Sequence, residues 1–95
     1  MKCKKYLDWI KQQPCRVTMQ EGVDAHHIIN VLPGAMGSKV HDIFTIPLVR
    51  EVHNNLHHLG GREWERQSCV SQAKECIYMI NQAINEGVIE IRWVM

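Results

Sequence analysis

The sequence predicts an α+β fold: a hairpin plus a helix, flanked by an N-terminal helix and a long C-terminal helix. Three observations predict it. All six histidines (His26, His27, His41, His53, His57 and His58) fall between Asp24 and His58. Helical apolar periodicity frames that stretch on both sides. Turn residues bound it at Gly22 and at Gly60-Gly61 and divide it at Pro33, Gly34 and Gly37. The 95 residues suit one domain, 1–95, with its core at about 15–60.

Residues 3–12 read as the first helix. Tyr6, Leu7 and Ile10 share a face, the lysines lie largely opposite, and Pro14 stops the helix. Residues 15–31 read as a hairpin. Its first strand is Cys15–Met19, its turn lies at Gln20-Glu21-Gly22, and its second strand runs toward Val31 with His26 and His27 at its start. Leu32 to Asp42 is a loop. Ile43 to Leu48 is a short extended piece that its proline ends, and about 48–59 is a helix closed by the two glycines. A long helix over about 62–86 carries the stripe Trp64, Ala73, Cys76, Ile77, Ile80, Ala83 and Ile84, with Gly87 as its C′ residue. Residues 88–95 alternate loosely and suggest an edge strand.

Composition narrows the classes. Apolar residues make up 45% of the chain, which excludes a disordered polymer. No apolar run approaches the ~20 residues of a membrane span, and no h-region follows the N-terminal lysines, so a cytoplasmic protein with no membrane partner is expected. The four cysteines form no C-x-x-C pair. Cys69 and Cys76 lie seven apart on one predicted helix face and read as packing rather than disulfides. Net charge is +1, but residues 1–20 hold five Lys/Arg against one acid. That patch could steer a polyanion, although an ordinary solvated helix face explains it equally simply.

The histidines carry the chemistry. His53 and His57 are i, i+4 on a predicted helix and project from one face, as two ligands of one ion must. A third ligand from a packed strand would complete a set with open positions, the pattern of a catalytic metal. His26 and His27 are adjacent on a strand and point to opposite faces, so a ligand and a neighbouring free base is a natural division between them. The bland reading is a set of surface histidines.

The series H-H-I (His26 to Ile28), G-S-K (Gly37 to Lys39), H-D-I-F-T-I-P-L (His41 to Leu48) and V-H-N-N-L-H (Val52 to His57) resembles the HNH, or ββα-metal, nuclease superfamily. It looks closest to a small family encoded by lambdoid phages and prophages, and the likeness runs from about Tyr6 into the last helix. The resemblance implies a metal-dependent DNA endonuclease of phage recombination or genome processing. It implies one divalent ion (Mg, Mn, Ni or Zn) on His26, His53 and His57, with His27 as the base that activates water. Asp42 stands at the place of the motif's central Asn, which fixes the loop and orients the base. Lys39 and Arg16 are candidates for phosphate contact, which positions a nucleic acid without reading its sequence.

Relatives of that superfamily usually add two C-x-x-C pairs holding a structural zinc. The corresponding positions here are Cys15, Thr18, Val49 and Val52. One thiolate cannot hold a structural zinc, so none is expected, and an apolar cluster of Val17, Val49 and Val52 is expected in its place. Two other classes stay open: an HNH-derived binding module without turnover, such as a phage counter-defence factor binding a host or phage protein, and a purely structural metal site. Trp93 or Trp64, if exposed, could support a homodimer.

Overall fold

The computed structural model describes residues 3–28 and 41–90. Within them the order is α1 (Lys4–Lys11), β1 (Val23–His27), β2 (Thr45–Val49), α2 (Arg50–Leu59), α3 (Gly61–Ser68) and α4 (Gln72–Asn85). The fold class is α+β, four helices around a two-stranded antiparallel sheet.

The sheet is not the hairpin expected between residues 15 and 31. β1 pairs with β2, in the register Val23↔Val49 through His27↔Thr45. β2, the run T-I-P-L-V, is buried at every position. The expected partner 15–19 cannot match that: its Val17 is 38% exposed, and its backbone bonds to itself instead. Cys15 N–H donates to Gln20 O at 2.8 Å and Met19 N–H to Cys15 O at 2.9 Å, with Met19 at φ +63°. The Cys15 Sγ accepts from the N–H groups of Val17 and Thr18 at 3.4 and 3.5 Å. Local side-chain acceptors of this kind compete with a sheet ladder, and here they turn 15–20 into a tight knuckle. The histidines accordingly stand at the end of β1 rather than near its start.

Pro47 does not end the extended segment but sits in mid-strand. Its carbonyl accepts from Arg16 N–H at 3.0 Å, so its backbone faces the knuckle and β1 needs no N–H from it.

The helix expected over 62–86 is two helices. Ser68 Oγ donates to Trp64 O and accepts from Val70 N–H, Cys69 adopts φ +60°, and Ser71 caps α4 by accepting from Lys74 N–H. A Ser-x-x-Ser spacing that serves one helix end and the next beginning outweighs the apolar periodicity running through it. The break leaves Cys69 exposed and Cys76 buried, so the two cysteines do not share a packed face. α4 ends in a Schellman arrangement: Gly87 at φ +77°, with Val88 N–H on Ala83 O and Gly87 N–H on Ile84 O. Residues 88–90 form no strand, and the remainder of the expected edge strand lies outside the described residues.

Two apolar clusters hold these elements. One joins Cys15, Ile46, Leu48, Val49, Leu56, Trp64 and Cys76, tying α2, α3 and α4 to the sheet. The other packs Tyr6, Trp9 and Ile10 of α1 on Met79 and Ala83 of α4, and Ile80 borders both. Trp9 Nε1 also donates to Glu86 Oε1 at 3.0 Å. Trp64 is 2% exposed and offers no surface for a dimer, while Trp93 lies outside the described residues. Among the described residues no helix is long and apolar enough to cross a membrane.

Candidate metal centre

Alternation along β1 makes the first division. Asp24 and His26 project to one side of the strand, Ala25 and His27 to the other. α2 follows β2 directly and brings His53 and His57 to the His26 side. One ligand nitrogen from each of His26, His53 and His57 lies within 4.8 Å of the others. The Nε2 atoms of His53 and His57 are 2.9 Å apart. Two imidazole nitrogens bound to one divalent ion stand about 3 Å apart, given bonds of ~2.0–2.1 Å. Donor type and spacing therefore fit a shared ion.

Each of two ligands has a second partner. His53 Nδ1 lies 3.3 Å from Asp24 Oδ2, and Asp24 also takes Arg50 Nε at 3.0 Å. The Arg50 bond, then the His53 bond, hold the Asp24 carboxyl below the usual range against a small burial penalty. His26 Nε2 lies 2.9 Å from Gln72 Oε1, and the Gln72 amide donates to Glu65 Oε2 at 3.0 Å. Outer partners like these fix ring orientation and raise ligand basicity. Burial pushes the His26 pKa down to about 4, the neighbouring histidines add to it, and the Gln72 bond only partly opposes it. His26 is thus neutral at pH 7, as a ligand must be.

On the other side of β1, His27 Nε2 lies 2.8 Å from Asp42 Oδ1. Asp42 is itself fixed: its Oδ2 accepts from Cys3 N–H at 2.7 Å, and its backbone carbonyl accepts from Thr45 Oγ1 at 2.9 Å. The His27 bond lowers the Asp42 pKa most, and with the Cys3 N–H it outweighs burial. The His27 side chain is 40% exposed while that of Asp42 is 10% exposed, so the carboxylate is the fixed member of the pair.

The remaining candidates are placed apart from this centre. His41 Nδ1 accepts from Ile43 N–H at 3.0 Å in the turn leading to β2, and His58 is exposed. Arg16 is engaged within the fold: its Nε is 2.6 Å from Glu75 Oε1, and its guanidinium lies 4.2 Å from the centre of the Tyr78 ring. Lys39 lies outside the described residues.

Cys15 is a buried thiol whose pKa burial would raise. Hydrogen bonds from the Thr18 side chain and the Thr18, Val49 and Val17 backbone reverse that and hold it below the ordinary value. Val49 and Val52 pack in one cluster with Cys15, but Val17 is 38% exposed, so the expected cluster of three valines is not formed.

Sequence reasoning missed Asp24, Arg50 and Gln72. The first was within reach, because Asp24 is i, i+2 from His26 and shares its strand face. Arg50 pairs with Asp24 only through the β1–β2 register, and Gln72 arrives from a helix whose start the apolar stripe conceals.

A family model described as "Protein of unknown function (DUF968)" matches residues 1–87. A curated relative from Escherichia coli (strain K12), "Uncharacterized protein YdfU", is 46% identical over 54 residues, which is 57% of this chain and 16% of that protein. The aligned part is therefore about one sixth of the relative's length. No solved structure matches.

Proposed function

The chain belongs to the DUF968 family, and from its histidine centre we propose that it is a metal-dependent HNH-type endonuclease hydrolysing DNA phosphodiester bonds. One observation carries the reading. Three histidines gather within 4.8 Å, and the residue that follows one of them in β1, His27, has its ring held separately by a carboxylate on the other side of the strand. A structural ion uses the first set but gives no role to the His27–Asp42 pair. The resemblance to HNH nucleases supports the same division of roles.

With Asp42 accepting from Nε2–H, His27 keeps a lone pair on Nδ1 and can take a proton from a water directed at phosphorus. Asp42 orients the ring and stabilises the imidazolium once the proton has moved. His26, His53 and His57 would hold one divalent ion, which would supply positive charge to the scissile phosphate and the departing 3′ oxygen. Displacement breaks the bond from phosphorus to that oxygen and leaves 5′-phosphate and 3′-hydroxyl ends. The departing 3′ oxygen takes a proton from solvent, and His27 returns its own to solvent. His27 is partly exposed and His57 exposed, as groups that meet a DNA backbone must be. The setting implied by the resemblance is phage recombination or genome processing in the host cytoplasm.

A second reading, an HNH-derived binding module without turnover, is favoured by the pairing of Arg16 with Glu75 and Tyr78, which engages one cation expected on phosphate within the fold. A cleavage panel separates the two. Duplex, single-stranded and branched DNA are incubated with Mg²⁺, Mn²⁺ or Ni²⁺, and ion-dependent strand cleavage is expected on at least one. No cleavage on any, with DNA or protein binding retained, sinks the nuclease reading.

A further inference from the structure

α4 lies outside the hairpin-plus-helix that supplies the three histidines, yet it places one side chain against them. Gln72, at its first position, is buried, and its Oε1 is 2.9 Å from His26 Nε2. A glutamine amide can ordinarily be turned either way. Here the other end decides: Gln72 Nε2 stands 3.0 Å from a carboxylate oxygen of Glu65, which can only accept from an N–H when ionised. The atom facing His26 is therefore the amide oxygen, an acceptor. His26 Nε2 must carry its proton, and the lone pair of the neutral ring is on Nδ1.

His53 is set in the opposite sense. Its Nδ1 faces Asp24 and so carries the proton, leaving Nε2 as the lone pair, and that Nε2 is the atom beside His57 Nε2. From these two relays we infer that Gln72 is a positioning residue of the metal centre. The chain Glu65–Gln72–His26 locks His26 as the Nε2–H tautomer and presents Nδ1 to the ion, whereas His53 presents Nε2. The inference deepens the metal reading above and rests on it. It also gives the α3–α4 break a use, since Glu65 before the break and Gln72 after it meet through one hydrogen bond.

Imidazole ¹⁵N–¹H correlation spectra of the full chain test this directly, without and with Zn²⁺ as the diamagnetic probe. The ion-free protein is expected to show His26 protonated at Nε2, and the Zn²⁺-loaded protein to keep that proton with Nδ1 bound. Gln72→Leu, which keeps the volume but removes the acceptor, is expected to mix the tautomers and weaken Zn²⁺ binding about 10- to 100-fold. Glu65→Ala, at a less buried position, is expected to shift the tautomers the same way with a smaller loss of affinity. A His26 protonated at Nδ1 in a protein that does bind Zn²⁺ overturns the role given to Gln72 and leaves the metal reading standing. The same holds if Gln72→Leu keeps wild-type tautomer and affinity. Failure of the wild type to take up any divalent ion overturns the metal reading and, with it, any role of Gln72 toward an ion.

Discussion

Nε2 of His27 lies 2.8 Å from Oδ1 of Asp42, and the second oxygen of that carboxylate is held by the Cys3 N–H where α1 begins. The partly exposed histidine is thus steadied from behind by the N-terminal helix, through one buried carboxylate. An ionised acceptor with two donors has both oxygens satisfied, which fixes the carboxylate that orients the imidazole.

Asp42→Ala removes both bonds at once. It is expected to lower stability by about 2 kcal/mol, because the Cys3 N–H and the His27 N–H each lose a charged acceptor. DNA cleavage should fall further than stability does. Asp42→Asn keeps one acceptor and is expected to fall between Ala and wild type in both respects. Urea unfolding and cleavage rates measured on the same preparations check this, and wild-type cleavage by a folded Asp42→Ala protein contradicts it.

Acid stability follows from His26. Its pKa is about 4 in the folded chain against an ordinary 6.5, so the unfolded chain takes up the proton first as pH falls. The stability linked to neutral His26 is therefore fully present above 6.5 and is lost between there and about 4. At about 1.4 kcal/mol per pH unit the loss is about 3 kcal/mol. Asp24 and Asp42, whose pKa values are lowered, contribute above the ordinary carboxylate range and lose that contribution only at still lower pH. Urea midpoints between pH 7 and 4.5 should fall for the ion-free wild type and change much less for His26→Gln.

The Cys15 knuckle supplies one thiol, with Val49 and Val52 packed beside it. Exhaustive chelation is expected to strip the protein of every divalent ion while α1, the sheet and α4 stay folded, as read by circular dichroism. About one zinc per chain surviving treatment that empties the histidine site would contradict the expected absence of a structural zinc.

Much of this was legible in the residues. The i, i+4 spacing of His53 and His57 and the alternation of His26 and His27 follow from helix and strand periods alone, so the parting of three clustered histidines from a fourth could be anticipated. The turn at Gly60, with φ +85° and ψ 151°, was also legible, since only glycine adopts it readily. What the sequence concealed were choices between competing partners. Cys15–Met19 looks like a strand until its thiol collects two backbone N–H groups, and β2 wins the pairing because all five of its residues are buried. The α3–α4 break hides beneath a continuous apolar period because its cause is polar, the hydroxyls of Ser68 and Ser71. Gln72 carried no signal at all, since its role depends on a contact 46 positions away in the chain.

The most direct test compares plasmid nicking by wild type and His27→Ala at saturating Mn²⁺, with Mn²⁺ uptake measured on both. The variant should bind the ion as wild type does, since His26, His53 and His57 are intact, and nick about 10²- to 10⁴-fold more slowly, the range general-base removal produces. Equal nicking by the two proteins, or none by an ion-loaded wild type, would contradict the account.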